Sequence, residues 1–321
     1  MRVRDAIGDS ITRMSQHADP FAARRTFLGA MGAVSIASIA PASHLPQVET
    51  AAAGKVALDP NKPGRTPNMK FAINIEMWFG NLPFADRIRA TADLGFEFVE
   101  FWPWRNKDAA AIKAALAETG VQVTQFTAWG FVPGMNDPKF EEACVAEVEA
   151  SCLFAKEISA PMMTVVAGND IAGVSKADMH AQVTKVLKRL APIAAKHEVM
   201  LILEPMNIRN DHKGHCLWGS PDPVRICREV ASPWVKINWD LYHMQISEGD
   251  LCRRLREGFD QVGYIQIADN PGRMEPGTGE ISYARVYKEL RDLGYKKPIG
   301  VECNPSCEAK EAALRLAQSD V

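Results

Sequence analysis

Short apolar runs alternate with amphipathic stretches along the chain from about residue 69 to its end. Eight of the runs have the pattern of buried parallel strands, and the stretches between them repeat apolar residues at helical spacing. Three of these stretches are predicted to end as helices near Gly95, Gly120 and Gly294. Eight strands, each followed by a helix, in about 250 residues predict an α/β fold with a single (β/α)8 TIM barrel. The rival is a doubly wound sheet, which usually has a glycine-rich phosphate loop after its first strand, whereas here that strand continues into EMWFGNLPF. The predicted strands are MKFAINI, FEFVEFW, VQVTQFT, MMTVVAG, VMLILEP, KINWD, GYIQIAD and PIGVEC.

The bulk composition limits the classes of partner. The chain has 321 residues, of which 47% are hydrophobic and 24% are charged, values typical of a globular protein. Its formal net charge is -2 and its basic residues are scattered, so neither nucleic acid nor an anionic membrane surface is an expected partner. The seven cysteines lack the spacing of zinc sites. Cys303 and Cys307 could pair, but scattered buried thiols are the expectation.

The N-terminal segment has the features of an export signal. Arg24 and Arg25 precede Thr-Phe-Leu, a weakly apolar stretch follows, and Ala-Pro-Ala offers a cleavage site. This pattern resembles a twin-arginine signal and predicts a periplasmic or exported protein, and the alternative is a chance arginine pair before an alanine-rich surface helix. The apolar stretch is shorter than the ~20 residues that span a bilayer, so stable membrane insertion is not expected. We therefore expect a signal peptide over residues 1–42, a linker over 43–68 and a catalytic barrel over 69–321.

The fifth to the eighth predicted strands each end in a residue with an oxygen donor, namely Glu204, Asp240, Gln266 and Glu302. Active sites of such barrels form at the C-terminal ends of the strands, so these side chains are expected to converge. Three carboxylates and an amide oxygen are hard donors, which suit Mg²⁺ or Mn²⁺ better than zinc or copper. Each residue could instead be a polar strand end bonded to a neighbouring loop. Three carboxylates without a cation would repel one another, which favours the metal site.

A divalent cation at this point could bind two adjacent oxygens of an α-hydroxycarbonyl compound. It would polarise the carbonyl group and stabilise the enediolate that forms when the neighbouring carbon loses a proton. Glu204 and Glu302 would flank the substrate from different sides and are the candidate acid/base groups. Returning the proton to the adjacent carbon gives an isomer, and returning it on the opposite face gives an epimer. The sequence does not decide which glutamate takes the first proton.

Two longer segments carry a family resemblance. The segments WDLYHMQISEGDL and IQIADNPGRMEPGTGEISY resemble the hydroxypyruvate isomerase family, within the xylose-isomerase-like barrels, and ILEPMN and VECNP agree more loosely. The resemblance covers about residues 69–310 and implies a metal-dependent isomerase that interconverts hydroxypyruvate and 2-hydroxy-3-oxopropanoate (tartronate semialdehyde). Glu204, Asp240, Gln266 and Glu302 fall on the family's metal-ligand motifs. Related sugar epimerases tend to have histidine at the position of Gln266, so the amide favours the hydroxypyruvate isomerase branch.

Three further residues are candidates for substrate binding, each with a structural alternative. His243 could form a hydrogen bond with a substrate oxygen or cap a loop. Arg273 could pair with a substrate carboxylate through its planar guanidinium, or it could be a solvated loop residue. His215 could lie at the barrel mouth or away from it. Glu100 could face the core or the pocket, and the glycine-rich turn at 276–280 is expected to shape a tight loop rather than to cradle phosphate.

Two other functions stay open from the sequence. One is an epimerase or dehydratase of a keto-sugar, which a wide pocket without a cation for a carboxylate would favour. The other is an exported sugar-binding barrel without turnover, although a pure binder has no need of two glutamates beside a metal. The exit of the third strand, TQFTAWGFVPGMND, departs from the family's usual loop and would alter what fits above the metal. The partner in each case is a small molecule, and pairing of two barrels through their helical faces is compatible with the sequence.

Overall fold

Eight parallel strands form a closed barrel in the computed structural model, which describes residues 58–320. Each strand pairs with the next along the chain, and the last pairs with the first. The predicted TIM barrel is therefore confirmed, and the doubly wound sheet is excluded. The strands are β1 (Phe71–Asn74), β2 (Phe98–Phe101), β3 (Gln122–Trp129), β4 (Met162–Val166), β5 (Met200–Glu204), β6 (Val235–Asp240), β7 (Val262–Ile267) and β8 (Ile299–Val301).

Helices follow the strands and form the outer layer. The α-helices are α1 (Ile75–Trp78), α2 (Phe84–Asp93), α3 (Ala109–Thr119), α4 (Glu141–Glu157), α5 (Lys176–His197), α6 (Pro221–Val230), α7 (Leu241–Ser247), α8 (Leu251–Gly258), α9 (Tyr283–Asp292) and α10 (Ala309–Ser319). Two 3-10 turns, Pro138–Phe140 and Phe259–Gln261, complete the set among the described residues. None of the helices in the described range is both long enough and apolar enough to cross a membrane.

Local sequence signals explain where helices begin and end. The Asp108 side chain accepts hydrogen bonds from the first backbone N–H groups of α3, which satisfies donors that have no partner within the helix. Gly120 ends the same helix with φ of 74°, a conformation that glycine adopts without steric cost. Gly95 and Gly294 have φ of 88° and 82°. The three helix stops predicted from glycine are confirmed.

The barrel interior contains polar side chains as well as apolar ones. Tyr264 Oη lies 3.0 Å from Thr124 Oγ1, and Thr164 Oγ1 donates to Gln125 Oε1 at 2.8 Å. These groups are buried, so their mutual hydrogen bonds offset the cost of removing them from water. The apolar core lies mainly between the strands and the helical layer. These polar side chains lie below the C-terminal ends of the strands, where the barrel opens.

The chain before β1 already contacts the barrel, and Gly64 is one point of contact. Its backbone N–H donates to Leu94 O at 2.8 Å, and a side chain at Gly64 would meet the backbone of Phe96 at 2.5 Å. Asn68 N donates to Asp320 Oδ2 at 2.8 Å. The last part of the predicted linker therefore packs against the barrel, while the predicted signal peptide lies outside the described residues. The seven cysteines are free thiols, five of them buried, as the sequence predicted.

Candidate active site at the mouth of the barrel

Three acidic residues and one histidine meet at the C-terminal mouth of the barrel. Glu204 is the last residue of β5, Asp240 is the last residue of β6, and Glu302 directly follows β8. His243 lies in the first turn of α7. All four are buried, and their ligand atoms lie within 4.8 Å of one another. The structure thus brings together three of the four predicted oxygen donors.

Asp240 has one carboxylate oxygen that is bonded and one that is not. Its Oδ1 caps α7 by accepting hydrogen bonds from the backbone N–H groups of Tyr242 at 2.8 Å and His243 at 3.4 Å. This cap fixes the orientation of the carboxylate, because both donors belong to the helix. Its Oδ2 is buried and has no hydrogen-bond partner among residues 58–320. An unpartnered carboxylate oxygen at the centre of an acidic cluster is what a bound cation would satisfy.

The two glutamates differ in how firmly they are held. Glu302 accepts hydrogen bonds at Oε1 from Trp102 Nε1 at 2.8 Å and Asn74 Nδ2 at 3.4 Å, and its Oε2 pairs with Arg273 Nη2 at 2.7 Å. Glu204 accepts no hydrogen bond from any described residue, and its Oε1 lies 3.9 Å from His243 Nε2. Of the two glutamates, Glu204 is therefore the one whose carboxylate no hydrogen bond from the described residues holds in place.

The charges at the mouth are incompletely compensated within the described chain. Burial raises the pKa of Glu204 well above its ordinary value, and the neighbouring carboxylates of Glu302 and Asp240 raise it further. Burial likewise raises the pKa of Asp240 to about 7, against the opposing effect of Arg273. Three carboxylates and one guanidinium leave a net charge of minus two when all are ionised. A divalent cation with hard oxygen ligands matches this charge and this donor set.

Gln266 lies within the barrel, where its amide is bonded to neighbours. Its Oε1 accepts a hydrogen bond from Asn238 Nδ2 at 2.5 Å, and its Nε2 donates to Glu100 Oε1 at 2.8 Å. The amide oxygen therefore already has a partner, unlike Asp240 Oδ2. The role of Gln266 as a fourth ligand stays a prediction.

Glu100, which the sequence left between core and pocket, lies in the barrel interior. It is fully buried and accepts hydrogen bonds from Gln266 Nε2 and Asn74 Nδ2. Burial, reinforced by the charge of Glu302, raises its pKa to about 8. Gly300 makes room for this carboxyl group, since a Cβ there would lie 2.3 Å from Glu100 Oε2. Through Asn74, which also donates to Glu302, Glu100 supports the floor of the site.

A cavity of about 360 Å³ opens above the acidic cluster. Its floor includes Glu204 and Glu302, and its walls come from the loops after the second, third, fifth and seventh strands. The volume lies near the lower end of the range for small-molecule sites. The lining residues are Trp102, Pro103, Thr127, Gly130, Phe131, Val166, Glu204, Met206, His212, His243, Arg273 and Glu302.

Two of the three predicted substrate-binding residues line this cavity, and the third does not. His243 and Arg273 face it. His215 is buried behind the wall, where its Nδ1 donates to Leu217 O at 2.7 Å and its Nε2 accepts from Gly168 N at 3.4 Å. The prediction that His215 contacts substrate is therefore corrected, because both ring nitrogens are already engaged by backbone groups. Burial lowers the pKa of His215 to about 4, so the ring is neutral.

Phe131 and His212 form a part of the wall, although neither was among the predicted site residues. Their rings stack with centroids 4.8 Å apart, and the buried His215 ring meets Phe131 edge-on at 5.6 Å. His215 thus supports the aromatic wall from behind. Both residues lie in segments that the sequence marks as notable. Phe131 lies in the unusual loop after the third strand, and His212 lies in the loop after the fifth strand. Their contact joins loops 81 residues apart, which no local pattern reveals.

The glycine-rich turn at 276–280 is a tight loop, as expected. The buried carboxylate of Asp269 accepts hydrogen bonds from the backbone N–H groups of Gly277 at 2.9 Å and Ile281 at 3.1 Å. A Cβ at Gly279 would lie 2.3 Å from Asn270 O, so only glycine fits at that close approach. Because these backbone donors already bind Asp269, they are not available to a phosphate group.

Comparison with known proteins identifies the family of the chain. Residues 88–319 match the family described as xylose isomerase-like TIM barrel. The chain is 32% identical to hydroxypyruvate isomerase of Escherichia coli (strain K12), over 77% of this chain and 97% of that protein. It is 33% identical to 2-oxo-tetronate isomerase of Cupriavidus necator, over 74% of this chain and 93% of that protein.

The similarity extends to solved structures. A crystal structure described as AP endonuclease, family 2, from Brucella melitensis has a TM-score of 0.73 at 26% identity, and the match covers 78% of this chain and 98% of that one. The barrel, the acidic cluster at its mouth and the near full-length match to two isomerases lead to one assignment. The chain is an isomerase that belongs to the hydroxypyruvate isomerase family of xylose isomerase-like TIM barrels.

Proposed function

We propose that the protein is a metal-dependent isomerase that interconverts hydroxypyruvate and 2-hydroxy-3-oxopropanoate. The observation that carries the proposal is the convergence of Glu204, Asp240 and Glu302 on one point beside a cavity of about 360 Å³. Arg273 lines the same cavity, and its Nε is buried without a hydrogen-bond partner among the described residues. A guanidinium with a free N–H suits the carboxylate of a small 2-oxo acid. The E. coli relative is named for this reaction.

The cation would be held by the carboxylates of Glu204, Asp240 and Glu302, with Gln266 as the predicted fourth donor. Mg²⁺ and Mn²⁺ fit this set of oxygen ligands best. When bound, such an ion stabilises negative charge on the two adjacent oxygens of the substrate. The unpartnered Oδ2 of Asp240 supports the fit, because a buried carboxylate oxygen without a donor is costly in the metal-free protein.

Glu204 is the better of the two glutamates to accept the first proton. Both oxygens of Glu302 already accept hydrogen bonds, whereas Glu204 accepts none within the described chain, and burial raises its pKa. In the forward reaction, the C3–H bond of hydroxypyruvate breaks, its proton goes to Glu204, and a C2–C3 double bond forms. The proton is then returned to C2, while the C3 hydroxyl proton moves to the C2 oxygen and C3 becomes the aldehyde. Glu302 is the second acid/base candidate.

Exchange of substrate hydrogen with solvent deuterium tests this proposal. The purified protein is incubated in D₂O with Mn²⁺ or Mg²⁺ and one candidate substrate, and the label is followed by NMR. Deuterium at C3 of hydroxypyruvate together with formation of 2-hydroxy-3-oxopropanoate supports the proposal. Exchange into a ketohexose alone would assign an epimerase, and metal binding without any exchange would assign a non-catalytic binder.

The same test also compares substrates of different chain length. The C. necator relative is named for a 2-oxo-tetronate, a four-carbon acid. Phe131 and His212 wall the cavity and limit its size. We expect a higher kcat/KM for the three-carbon acid. A preference for the four-carbon acid would move the assignment to the 2-oxo-tetronate isomerase branch.

We further propose that the barrel is exported. The arginine pair, the short apolar stretch and the Ala-Pro-Ala motif support a twin-arginine signal over residues 1–42, a linker over 43–68 and the barrel over 69–321. The expected location is the periplasm or the exterior. Replacing Arg24 and Arg25 by lysine should retain the protein in the cytoplasm, and unchanged export would refute the signal.

Light scattering of the purified barrel tests whether it forms a homo-oligomer.

A further inference from the structure

The side chain of Asn207, in the sequence EPMN after β5, contacts the ring of His243 from the side away from the carboxylates. Asn207 is fully buried, and its Nδ2 lies 2.8 Å from His243 Nδ1. The other ring nitrogen, Nε2, lies 3.7 Å from Asp240 Oδ2 and 3.9 Å from Glu204 Oε1. This Nε2 is buried and has no hydrogen-bond partner in the described part of the chain. One nitrogen thus faces an amide, and the other faces the cavity.

The orientation of the Asn207 amide is fixed by groups whose roles are unambiguous. Its Oδ1 accepts hydrogen bonds from the backbone N–H groups of Asn210 and Asp211, both at 3.1 Å. Its Nδ2 also donates to Asp211 Oδ2 at 2.6 Å, and that carboxylate accepts a further hydrogen bond from Tyr242 Oη at 3.0 Å. A flipped amide would place its N–H₂ group against two N–H donors and its oxygen against a carboxylate. The amide nitrogen therefore points at His243.

This geometry determines which nitrogen of His243 carries the proton. Because Asn207 Nδ2 can only donate, His243 Nδ1 must accept and therefore has no hydrogen. A doubly protonated ring is excluded for the same reason, since its Nδ1–H would meet the amide N–H₂ group of Asn207. The single ring proton must then be on Nε2, the atom that faces the cavity. A protonated nitrogen has no lone pair for a metal.

We propose that Asn207 is a positioning residue that holds His243 as an Nε2–H donor. In this role His243 donates a hydrogen bond to a substrate oxygen, and it stays outside the coordination of the cation although it lies among the carboxylates. The second part, donation to substrate, rests on the proposed isomerase function. The first part, the tautomer, is a property of the protein alone and is measured without substrate or turnover.

Nitrogen-15 NMR of histidine-labelled, metal-free protein reads the tautomer directly. The His243 resonances are identified by their loss in His243→Gln. We expect the wild-type ring to be protonated at Nε2 and unprotonated at Nδ1, and this pattern to persist with saturating Mg²⁺. A wild-type ring protonated at Nδ1, or loss of the Nε2 proton when Mg²⁺ binds, would overturn the proposal.

The variant Asn207→Asp replaces the amide donor with an acceptor of the same shape. Its carboxylate should accept a hydrogen bond from His243 Nδ1, so that the single ring proton moves there from Nε2. A merely structural role would not produce this change in the NMR spectrum. The matched control is Asn210→Asp, which adds the same charge to the same loop on an exposed residue. The control should keep the Nε2–H tautomer. An unchanged His243 spectrum in Asn207→Asp would refute the positioning role.

Kinetics and metal binding separate this inference from the proposed function. In Asn207→Asp we expect kcat/KM to fall at least roughly tenfold, the effect of losing about one hydrogen bond to a reacting group, while Mg²⁺ affinity stays within threefold. If Asn207→Asp should not fold, Asn207→Leu removes the donor without adding a charge, and its ring should populate both tautomers. If hydroxypyruvate proves not to be a substrate, the wild-type tautomer still decides whether Asn207 positions His243.

Discussion

The buried carboxylates of the outer helices and those of the barrel mouth have opposite surroundings. In the helical layer, Glu141 of α4 contacts Lys185 at 2.9 Å and also pairs with Arg189, and these contacts lower its pKa to about 2. Glu289 of α9 contacts Arg256 at 2.5 Å and Arg285 at 2.8 Å, which also lowers its pKa. At the mouth, burial raises the pKa of Glu204 instead.

The difference separates charges that stabilise the fold from charges that are kept for a ligand. A buried carboxylate with cationic partners is compensated as soon as the chain folds. Glu204 and Asp240 gain that compensation only when something else binds, since Arg273 pairs with Glu302 at 2.7 Å but lies 3.9 Å from Asp240. At the mouth, folding thus leaves buried carboxyl groups without a cationic partner of their own among the described residues. Such sites are typical of function rather than of stability.

The largest effect is expected on turnover when Glu204 loses its charge. Glu204→Gln keeps the shape of the side chain but removes the proton acceptor, so kcat for hydroxypyruvate should fall by about 10² to 10⁴. The matched control is Glu257→Gln, at a half-exposed residue of α8 that pairs with Arg254. Activity of Glu204→Gln within tenfold of the control would contradict the assigned role. Steady-state kinetics with saturating Mn²⁺ measures both variants.

The same variant should have the opposite effect on stability. Without metal, the buried Glu204 must either keep a charge that has no partner in the described chain or take up a proton, and its raised pKa reflects this cost. Glu204→Gln removes the cost and should raise the free energy of unfolding at neutral pH by about 1 kcal/mol. With saturating Mg²⁺ the order should reverse, because the wild type gains about 2.7 kcal/mol at a concentration a hundred times its Kd. Chemical denaturation with and without metal measures both numbers. If the metal-free variant were less stable than the metal-free wild type, the proposed difference between the carboxyl groups of the mouth and those of the helical layer would be wrong.

Glu141→Gln provides the contrasting case in the helical layer. It breaks contacts with two partly exposed cations, so the free energy of unfolding should fall by about 1 kcal/mol at neutral pH, whether or not metal is present. Since folding depresses this pKa from 4.5 to about 2, the stabilisation is present above the higher value and is lost as the pH falls through the lower one. The gap between wild type and variant should therefore narrow in acid. A gap independent of pH would contradict the ion-pair explanation.

The smallest predicted effect concerns the support of Glu302. Trp102→Phe removes the N–H that donates to Glu302 Oε1 at 2.8 Å but keeps an aromatic wall. Because Arg273 and Asn74 still hold the carboxylate, kcat should fall only roughly two- to fivefold. A loss as large as that of Glu204→Gln would show that Glu302, held by Trp102, is the principal base.

The sequence predicted the periodic features of the molecule and missed those that depend on distant contacts. All eight strands and the glycine helix stops followed from apolar period and local steric rules. The meeting of Glu204, Asp240 and Glu302 followed from strand order, because parallel barrel strands end at one mouth. These features depend on the residues of a single helix or strand, or on the order of the strands along the chain.

Side-chain orientation was harder to foresee. His215 and His212 are three residues apart in one loop, yet only His212 faces the cavity, because backbone groups of Leu217 and Gly168 bind both nitrogens of His215. The different bonding of the two glutamates was equally hidden, since Trp102 and Arg273 reach Glu302 from loops 200 and 29 residues away. Such contacts depend on the assembled barrel.

Metal binding to the purified barrel tests the central claim most directly. Isothermal titration with Mn²⁺, with elemental analysis of the protein after dialysis, should give one ion per chain in the wild type. Asp240→Asn removes one carboxylate but retains the cap of α7, since asparagine caps helices equally well, and it should weaken Mn²⁺ binding by at least about tenfold. A wild type that binds no ion at saturating Mn²⁺ or Mg²⁺, or an Asp240→Asn variant with unchanged affinity, would contradict the account.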